Sequence, residues 1–305
     1  MRNLILTGIQ RYYRRPLTFL CLAVSLLSGI MYAISSVHTV SAIPAAASSF
    51  QPDDFFWIIS IFVNIVLLVL NIGTEFSAGA FRNKLIAGYT KQALYLSETA
   101  LTLLLSSVMF CLTALPFVVF RFGYLSKMNY FPLAFGSIFA AYIFMGILTV
   151  LFCFVTMNRT VAAIISLLLT FGLYWGSYSI EHKLKIPEYY TTYYRADGSS
   201  YQVSFGNFDT EDMDDITEVK NEPNPDYISG TKRTVLTILN DCNSFTAIRS
   251  FSVYSYYTND FKTNELSDYE EENCIKTQRA LVSTCMAGAV LTAAGAWLFN
   301  KKNLR

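Results

Sequence analysis

The sequence predicts an α-helical integral membrane protein. Six transmembrane helices are expected, with an N-terminal interfacial helix, a short cytoplasmic helix after the second span, and a small α+β extracellular domain between spans five and six. Three observations carry this reading. Hydrophobic residues make up 53% of the 305 positions and charged residues only 15%, against about a quarter charged in a soluble domain. Several apolar runs reach the roughly 18 residues that mark a spanning helix. The charge is also unevenly divided: 18 of the 22 acidic residues fall between Glu181 and Glu272, and only nine of the 23 basic residues lie between Lys183 and Lys276, so this part is negative and the remainder positive. This composition excludes a soluble enzyme, a nucleic-acid binder and an outer-membrane barrel, whose strands would alternate in short segments.

The first segment, residues 1–16, places Leu4, Ile5, Ile9, Tyr12 and Tyr13 near one helical face and Arg2, Arg11, Arg14 and Arg15 mostly on the other. That pattern fits a helix lying in the membrane interface with its arginines toward anionic lipid, and Pro16 separates it from the first span. The spans are expected at 17–37, 55–72, 100–120, 133–157, 161–178 and 280–299. Each must be helical, because backbone polar groups in a bilayer have to be paired within the segment. A cleavable leader ending near the small residues of 41–49 is the alternative for the first run. A 16-residue basic lead before more than 20 apolar residues favours a retained span.

An even number of crossings puts both termini on one side. Basic residues collect at the N-terminus, at Arg82, Lys84 and Lys91 after span two, at Arg159 after span four, and at Lys301, Lys302 and Arg305. Loop 38–54 has neither Lys nor Arg, and only Arg121 and Lys127 run against the trend. By the positive-inside rule both termini are expected in the cytoplasm. Residues 17–178 then form five spans with the elbow at 75–91 between two of them; 179–278 are the extracellular domain, and 279–305 the sixth span and tail.

The extracellular domain is expected to contain a strand near 201–205, where apolar and polar residues alternate, and a helix over 231–242 with Val235, Leu236 and Leu239 at helical spacing. Its two cysteines, Cys242 and Cys274, are the only ones outside the spans. A disulfide between them is the expectation in an oxidising exterior, with two free thiols as the alternative.

Sites of covalent chemistry are missing from the sequence. The two histidines, His38 and His182, have no metal-binding spacing, and neither a nucleophile elbow nor a phosphate-binding loop is present. No ionisable residue sits at mid-span; Asn64 is the one strongly polar side chain there, expected to bond a neighbouring helix. Asn64, Thr170 and Tyr174 are the candidates for lining a translocation path, and for the fifth-span aromatics an interfacial belt is the competing explanation.

The elbow carries most of the functional signal. Glu75 lies at the mouth of span two. In 77–87, Ala78, Phe81 and Leu85 share one face with Arg82 and Lys84 off it, so a short amphipathic helix is expected. Gly88 supplies a left-handed stop, and Lys91 sits at headgroup level. Gly79, Arg82, Asn83, Lys84, Leu85 and Gly88, with Glu75 before them and 95–98 (YLSE) after, resemble the coupling-helix region of the permease subunits of bacterial ABC exporters, the ABC type 2 membrane family of bacitracin, lantibiotic and multidrug export systems. The tail 299–305 (FNKKNLR) and the stretch 224–233 (NPDYISGTKR) are similar too. Position 91 departs from the family, with Lys after Tyr-Thr where Ser-Arg is common, but the charge is kept.

This resemblance implies a multi-pass subunit of the bacterial plasma membrane that is not itself an enzyme and binds no cofactor. ATP and magnesium would sit on a separate ATPase subunit docked on the coupling helix. A second permease, identical or related, would complete the path through the lipid bilayer for a peptide antibiotic or drug-like substrate. The alternative is a membrane sensor or immunity protein that binds a peptide through the extracellular domain.

Overall fold

In a computed structural model the chain is described over residues 2–38, 54–125, 131–195, 200–203, 216–249, 251 and 263–301. Among the described residues, six helices are long and apolar enough to cross a membrane: α2 (Pro16–His38), α3 (Asp54–Ser77), α5 (Lys91–Leu125), α6 (Phe131–Thr156), α7 (Arg159–Leu184) and α9 (Thr263–Lys301). They are joined at one end by α1 (Arg2–Tyr13) and α4 (Ala80–Ile86). At the other end, between α7 and α9, lie β1 (Tyr189–Arg195), β2 (Ser200–Val203), β3 (Ile216–Pro223) and α8 (Gly230–Asp241).

All six spans stand where the apolar runs place them, and two, α5 and α9, exceed the expected run by more than ten residues. Helix α5 begins at Lys91 rather than near 100, because Leu94 and Tyr95 are buried against the bundle. Helix α9 begins at Thr263 rather than near 280, so the acidic stretch expected to belong to the separate domain is instead the first part of the last helix. The expected helix at 231–242 is α8, and β2 covers 200–203 of the expected strand, of which 204–205 lie outside the described residues.

Helix α6 is the axis of the bundle. It is apolar all round, packs against α3, α5, α7 and α9, and 72% of its span is buried, against 17% for α9 at the periphery. A helix without a polar face has to be surrounded. Its turn into α7 is tight: Met157 takes a left-handed φ of 52°, and the Asn158 side chain caps α7 by accepting from the N–H groups of Thr160 at 2.9 Å and Val161 at 3.4 Å.

Inside the bundle the helices are held by close approach and by hydroxyl bonds. Gly29 of α2 lies against the backbone of Thr113 in α5, where a Cβ would collide with the Thr113 carbonyl. The same contact lets the Ser60 hydroxyl reach Thr113 Oγ1 at 2.7 Å and Ser25 Oγ at 3.1 Å, linking α2, α3 and α5. One turn along, Asn64 Nδ2 donates to Ser106 Oγ at 2.9 Å. In a bilayer no hydrophobic effect drives helices together, so small residues and such bonds hold them. Towards the end nearer β1, Trp57 is wholly buried among Tyr32, Phe110, Phe135 and Tyr142.

The sheet has the order β2-β1-β3, antiparallel throughout, with Thr192 opposite both Gln202 and Lys220. Arg233 of α8 donates to the Leu184 carbonyl at 3.0 Å, fixing α8 to the end of α7.

The expected disulfide is not formed: Cys242 and Cys274 are both free thiols. Ser283 donates to the Cys242 carbonyl at 3.4 Å, so Cys242 lies beside Ser283. That is nine residues along α9 from Cys274, roughly 13 Å at 1.5 Å per residue. A bridge requires Cα atoms within about 7 Å.

Two outcomes follow. Both thiols should be alkylated without prior reduction, and a reductant should leave the unfolding midpoint unchanged; a reductant-dependent midpoint would contradict the free-thiol geometry. Gly29→Ala should destabilise the detergent-solubilised protein by about 1–3 kcal/mol through overpacking. Gly136→Ala, where a new Cβ meets nothing within 4 Å, should be neutral or slightly stabilising. Unfolding titrations of the two variants side by side check this contrast.

Candidate functional site

Four charged side chains meet where α1, α3, α4 and α5 converge. Glu75 ends α3, and Glu98 lies two turns into α5. Their side chains are only 11% and 3% exposed. Arg11 of α1 spans both: its Nη1 and Nη2 contact Glu98 Oε1 at 3.2 Å and Oε2 at 2.8 Å, and Nη1 is also paired with Glu75 Oε1. Lys84 of α4 donates to Glu75 Oε2 at 2.7 Å and stands 3.9 Å from Glu98 Oε1. The cluster is neutral, two cations against two carboxylates. A buried charge left without a partner is strongly destabilising.

Burial opposes the charge on Arg11, but Glu98, followed by Glu75, outweighs it, so the guanidinium is held even more firmly protonated than usual. Tyr12, fully enclosed beside it, has its phenol pushed well above the ordinary range by burial first and by the charge of Glu98 second. A second arginine, Arg15, braces the neighbouring turn of α3. It donates to Asn71 Oδ1 at 2.9 Å and Thr74 Oγ1 at 2.8 Å.

Helix α4 is bounded by two left-handed glycines, Gly79 at φ 69° and Gly88 at φ 92°, both in open space. Only glycine takes that conformation without penalty. From one side of α4, Phe81 is buried and stacks on Phe76 with ring centroids 4.2 Å apart, while Phe154 of α6 meets it edge-on at 5.1 Å. Leu85 is half-buried on the same side. Arg82, Asn83 and Ile86 are exposed on the other, with Ile86 at 76%. Lys91, half-buried, donates to the Asn300 carbonyl at 3.4 Å and ties the elbow to the last turns of α9.

The sequence-derived site thus divides into two. Glu75, Phe81, Lys84 and Leu85 face the bundle, while Arg82 faces out as expected. Lys84 was expected off the apolar face; it turns inward because Glu75 needs a cation. Arg11 likewise leaves the arginine face assigned to it and enters the core with Leu4 and Tyr12, leaving Ile9 and Tyr13 exposed. Arg11 and Glu98 were not singled out from the sequence. The available signal was that Glu98 is one of only four acidic residues outside 181–272, and a carboxylate beside a span demands a cationic partner.

The path candidates are not brought together. Asn64 is enclosed between α3 and α5, and Thr170 is fully buried, its hydroxyl donating to the Ser166 carbonyl of its own helix at 2.7 Å. Tyr174 packs edge-on against Phe245 at 6.1 Å. None of the three lines the open groove of about 600 Å³, which runs between α6 and α9 past Phe139, Phe144, Gly288 and Ala289.

A segment not anticipated from the sequence, 243–249 together with Phe251, dips into the bundle. The Asn243 amide donates to the Leu173 carbonyl at 2.8 Å, and Phe251 packs on Phe117 and Phe135 at 5.7 and 5.2 Å. Arg249 pairs with Glu181 at 3.2 Å and lies over the Tyr178 ring. The stretch fills the space among α5, α6 and α7 on the side away from α4.

Among the described residues there is no group of three or more His, Cys, Asp or Glu side chains suited to a metal ion. Compared with known proteins, the chain matches no family model, and no curated relative is found.

Removing one member of the charged cluster should cost far more than removing its exposed neighbour. Glu98→Gln leaves two cations facing one carboxylate and should destabilise the protein by about 3–5 kcal/mol, whereas Arg82→Ala should stay within about 0.5 kcal/mol. Thermal unfolding in detergent separates them; equal shifts would argue against the cluster's weight.

Proposed function

We propose that this chain is the membrane-spanning permease subunit of an ATP-driven exporter of the ABC type 2 kind, working with a separate ATPase and a second permease. The observation that supports it is the elbow. Helix α4 is clamped to the bundle by Phe81 and Lys84 and turns Arg82, Asn83 and Ile86 outward. An exposed face of one apolar and two polar residues on a short helix suits a groove on a partner protein. The positions that carry the family resemblance are the same ones that make this helix.

In this reading α1, α4 and both termini are cytoplasmic, as the distribution of Lys and Arg indicates, and the sheet with α8 is extracellular. The ATPase docks on α4 and, on closing around ATP and magnesium, displaces it. The displacement enters the bundle through α3 and α5, which α4 joins. Substrate moves along the surface between two permeases, and the buried segment 243–249 with Phe251 holds the outer side shut. The acidic stretch at the start of α9 gives that side a negative field, which favours approach of cationic peptides.

Purification of the tagged chain from its native membrane in mild detergent, with mass spectrometry of what accompanies it, tests the proposal. A stoichiometric ATPase is expected. The Arg82→Glu variant should be normally folded and should retain the ATPase at least about tenfold less well, a loss of about 1.4 kcal/mol. If the wild-type chain brings no ATPase, the exporter reading falls and peptide sensing through the sheet and α8 takes its place.

A further inference from the structure

The position of α4 has to be imposed on it. A seven-residue helix between two left-handed glycines is joined to its neighbours only by turn hydrogen bonds such as Gly79 N–H to the Phe76 carbonyl and Tyr89 N–H to the Lys84 carbonyl, and helices this short are not stable alone. Its apolar side is held by Phe81, between Phe76 and Phe154, and by half-buried Leu85, and its charged side by Lys84, through Glu75. The setting of α4 on that apolar contact therefore depends on where the Glu75 carboxylate points.

That carboxylate is shared. Lys84 holds Oε2, and Arg11 holds Oε1 while gripping both oxygens of Glu98. The guanidinium is a planar fork that serves two carboxylates in a fixed orientation; an ammonium is a compact charge with three rotatable donors and imposes no such orientation. Helix α1 in turn lies close on α5, since a Cβ on Gly8 would run into Leu101. A rigid sequence of contacts leads from α5 through Arg11 and Glu75 to Lys84.

We infer that Arg11 is a positioning residue for α4: by fixing the Glu75 carboxylate that Lys84 binds, it sets the angle at which the elbow is presented. The meaning of that angle, the docking of an ATPase, rests on the exporter reading; the positioning itself does not. Helix α1 is then a working part of the elbow as well as a membrane-surface anchor. With Arg11 removed, Lys84 faces two carboxylates and is drawn toward Glu98, already 3.9 Å away, and α4 loses its single resting place.

Hydrogen exchange of the full chain in lipid nanodiscs tests this, read on peptides covering 78–91 against those of α6. Arg11→Lys keeps the charge and loses the fork. The double variant Arg11→Met with Glu98→Gln keeps the cluster neutral and leaves the Lys84–Glu75 pair intact. Both should exchange about tenfold faster over 78–91 with α6 unchanged, the signature of local opening. Wild-type exchange over 78–91 in either variant would reduce Arg11 to a counter-charge and overturn the inference, and so would faster exchange throughout the chain. Co-purification of an ATPase with the same variants is scored separately. Its absence from the wild type would sink the exporter reading while the exchange data still decide the role of Arg11.

Discussion

The ion cluster of Arg11, Glu75, Glu98 and Lys84 is the constraint on which the rest of the basic end depends. Two carboxylates in a nearly water-free pocket at the border of an apolar bundle cannot stay charged without cations. The nearest two come from elements held otherwise only by a few apolar contacts, Leu4 and Tyr12 on one and Phe81 and Leu85 on the other. One is on an amphipathic N-terminal helix with enough apolar surface to lie elsewhere, and the other on a short elbow with glycine at each end. Charge neutralisation gives both a single location, and the joined pieces hold the ends of α3 and α5 together. The nearby Arg15 braces the same turn of α3 through uncharged partners, Asn71 and Thr74.

Deeper in the bundle, specificity comes from a different source. Apolar helices in lipid gain little by touching one another rather than lipid, so register is set where backbones come closest and where hydroxyls find partners. Gly29 against Thr113 is one such point, and the Ser25, Ser60 and Thr113 hydroxyls lie at that same level. Asn64 and Ser106 add a second bond a turn away. These residues look unremarkable among long runs of Leu, Ile and Phe, yet they choose which faces of α2, α3 and α5 meet.

What the sequence makes legible follows from the strength of each signal. The spans are readable because 18 or more apolar residues in a row have few other stable arrangements, and the elbow because Gly79 and Gly88 bracket an amphipathic stretch. Facing is harder. A helical wheel puts Lys84 and Arg11 outside, since a wheel weighs only hydropathy, whereas each is turned inward by a carboxylate from another element of the fold. Segment 243–249 reads as part of a polar domain because Asn243, Ser244 and Thr246 are polar, but Asn243 bonds to the Leu173 carbonyl and the Phe245 N–H, and Thr246 to Ser177 and the Asn240 carbonyl, so the stretch can be buried. Cys242 and Cys274 share a compartment in the sequence but not a level along α9. Compartment alone says nothing about distance.

Helix α9 gives the molecule a part of another kind. Its 39 residues run without a proline, on the order of 58 Å at 1.5 Å per residue, about twice the thickness of a hydrocarbon core. At one end Phe299 is set edge-on against Phe154 in the aromatic cluster that holds α4, and Asn300 accepts from Lys91 of the elbow. Near its middle, Arg279 pairs with Asp241 at the end of α8. A single rod therefore touches the elbow and the opposite pole of the protein. Between those two places the helix packs against α6 and α5, so a displacement of the elbow and one at the opposite pole meet on the same helix and on the core it leans against.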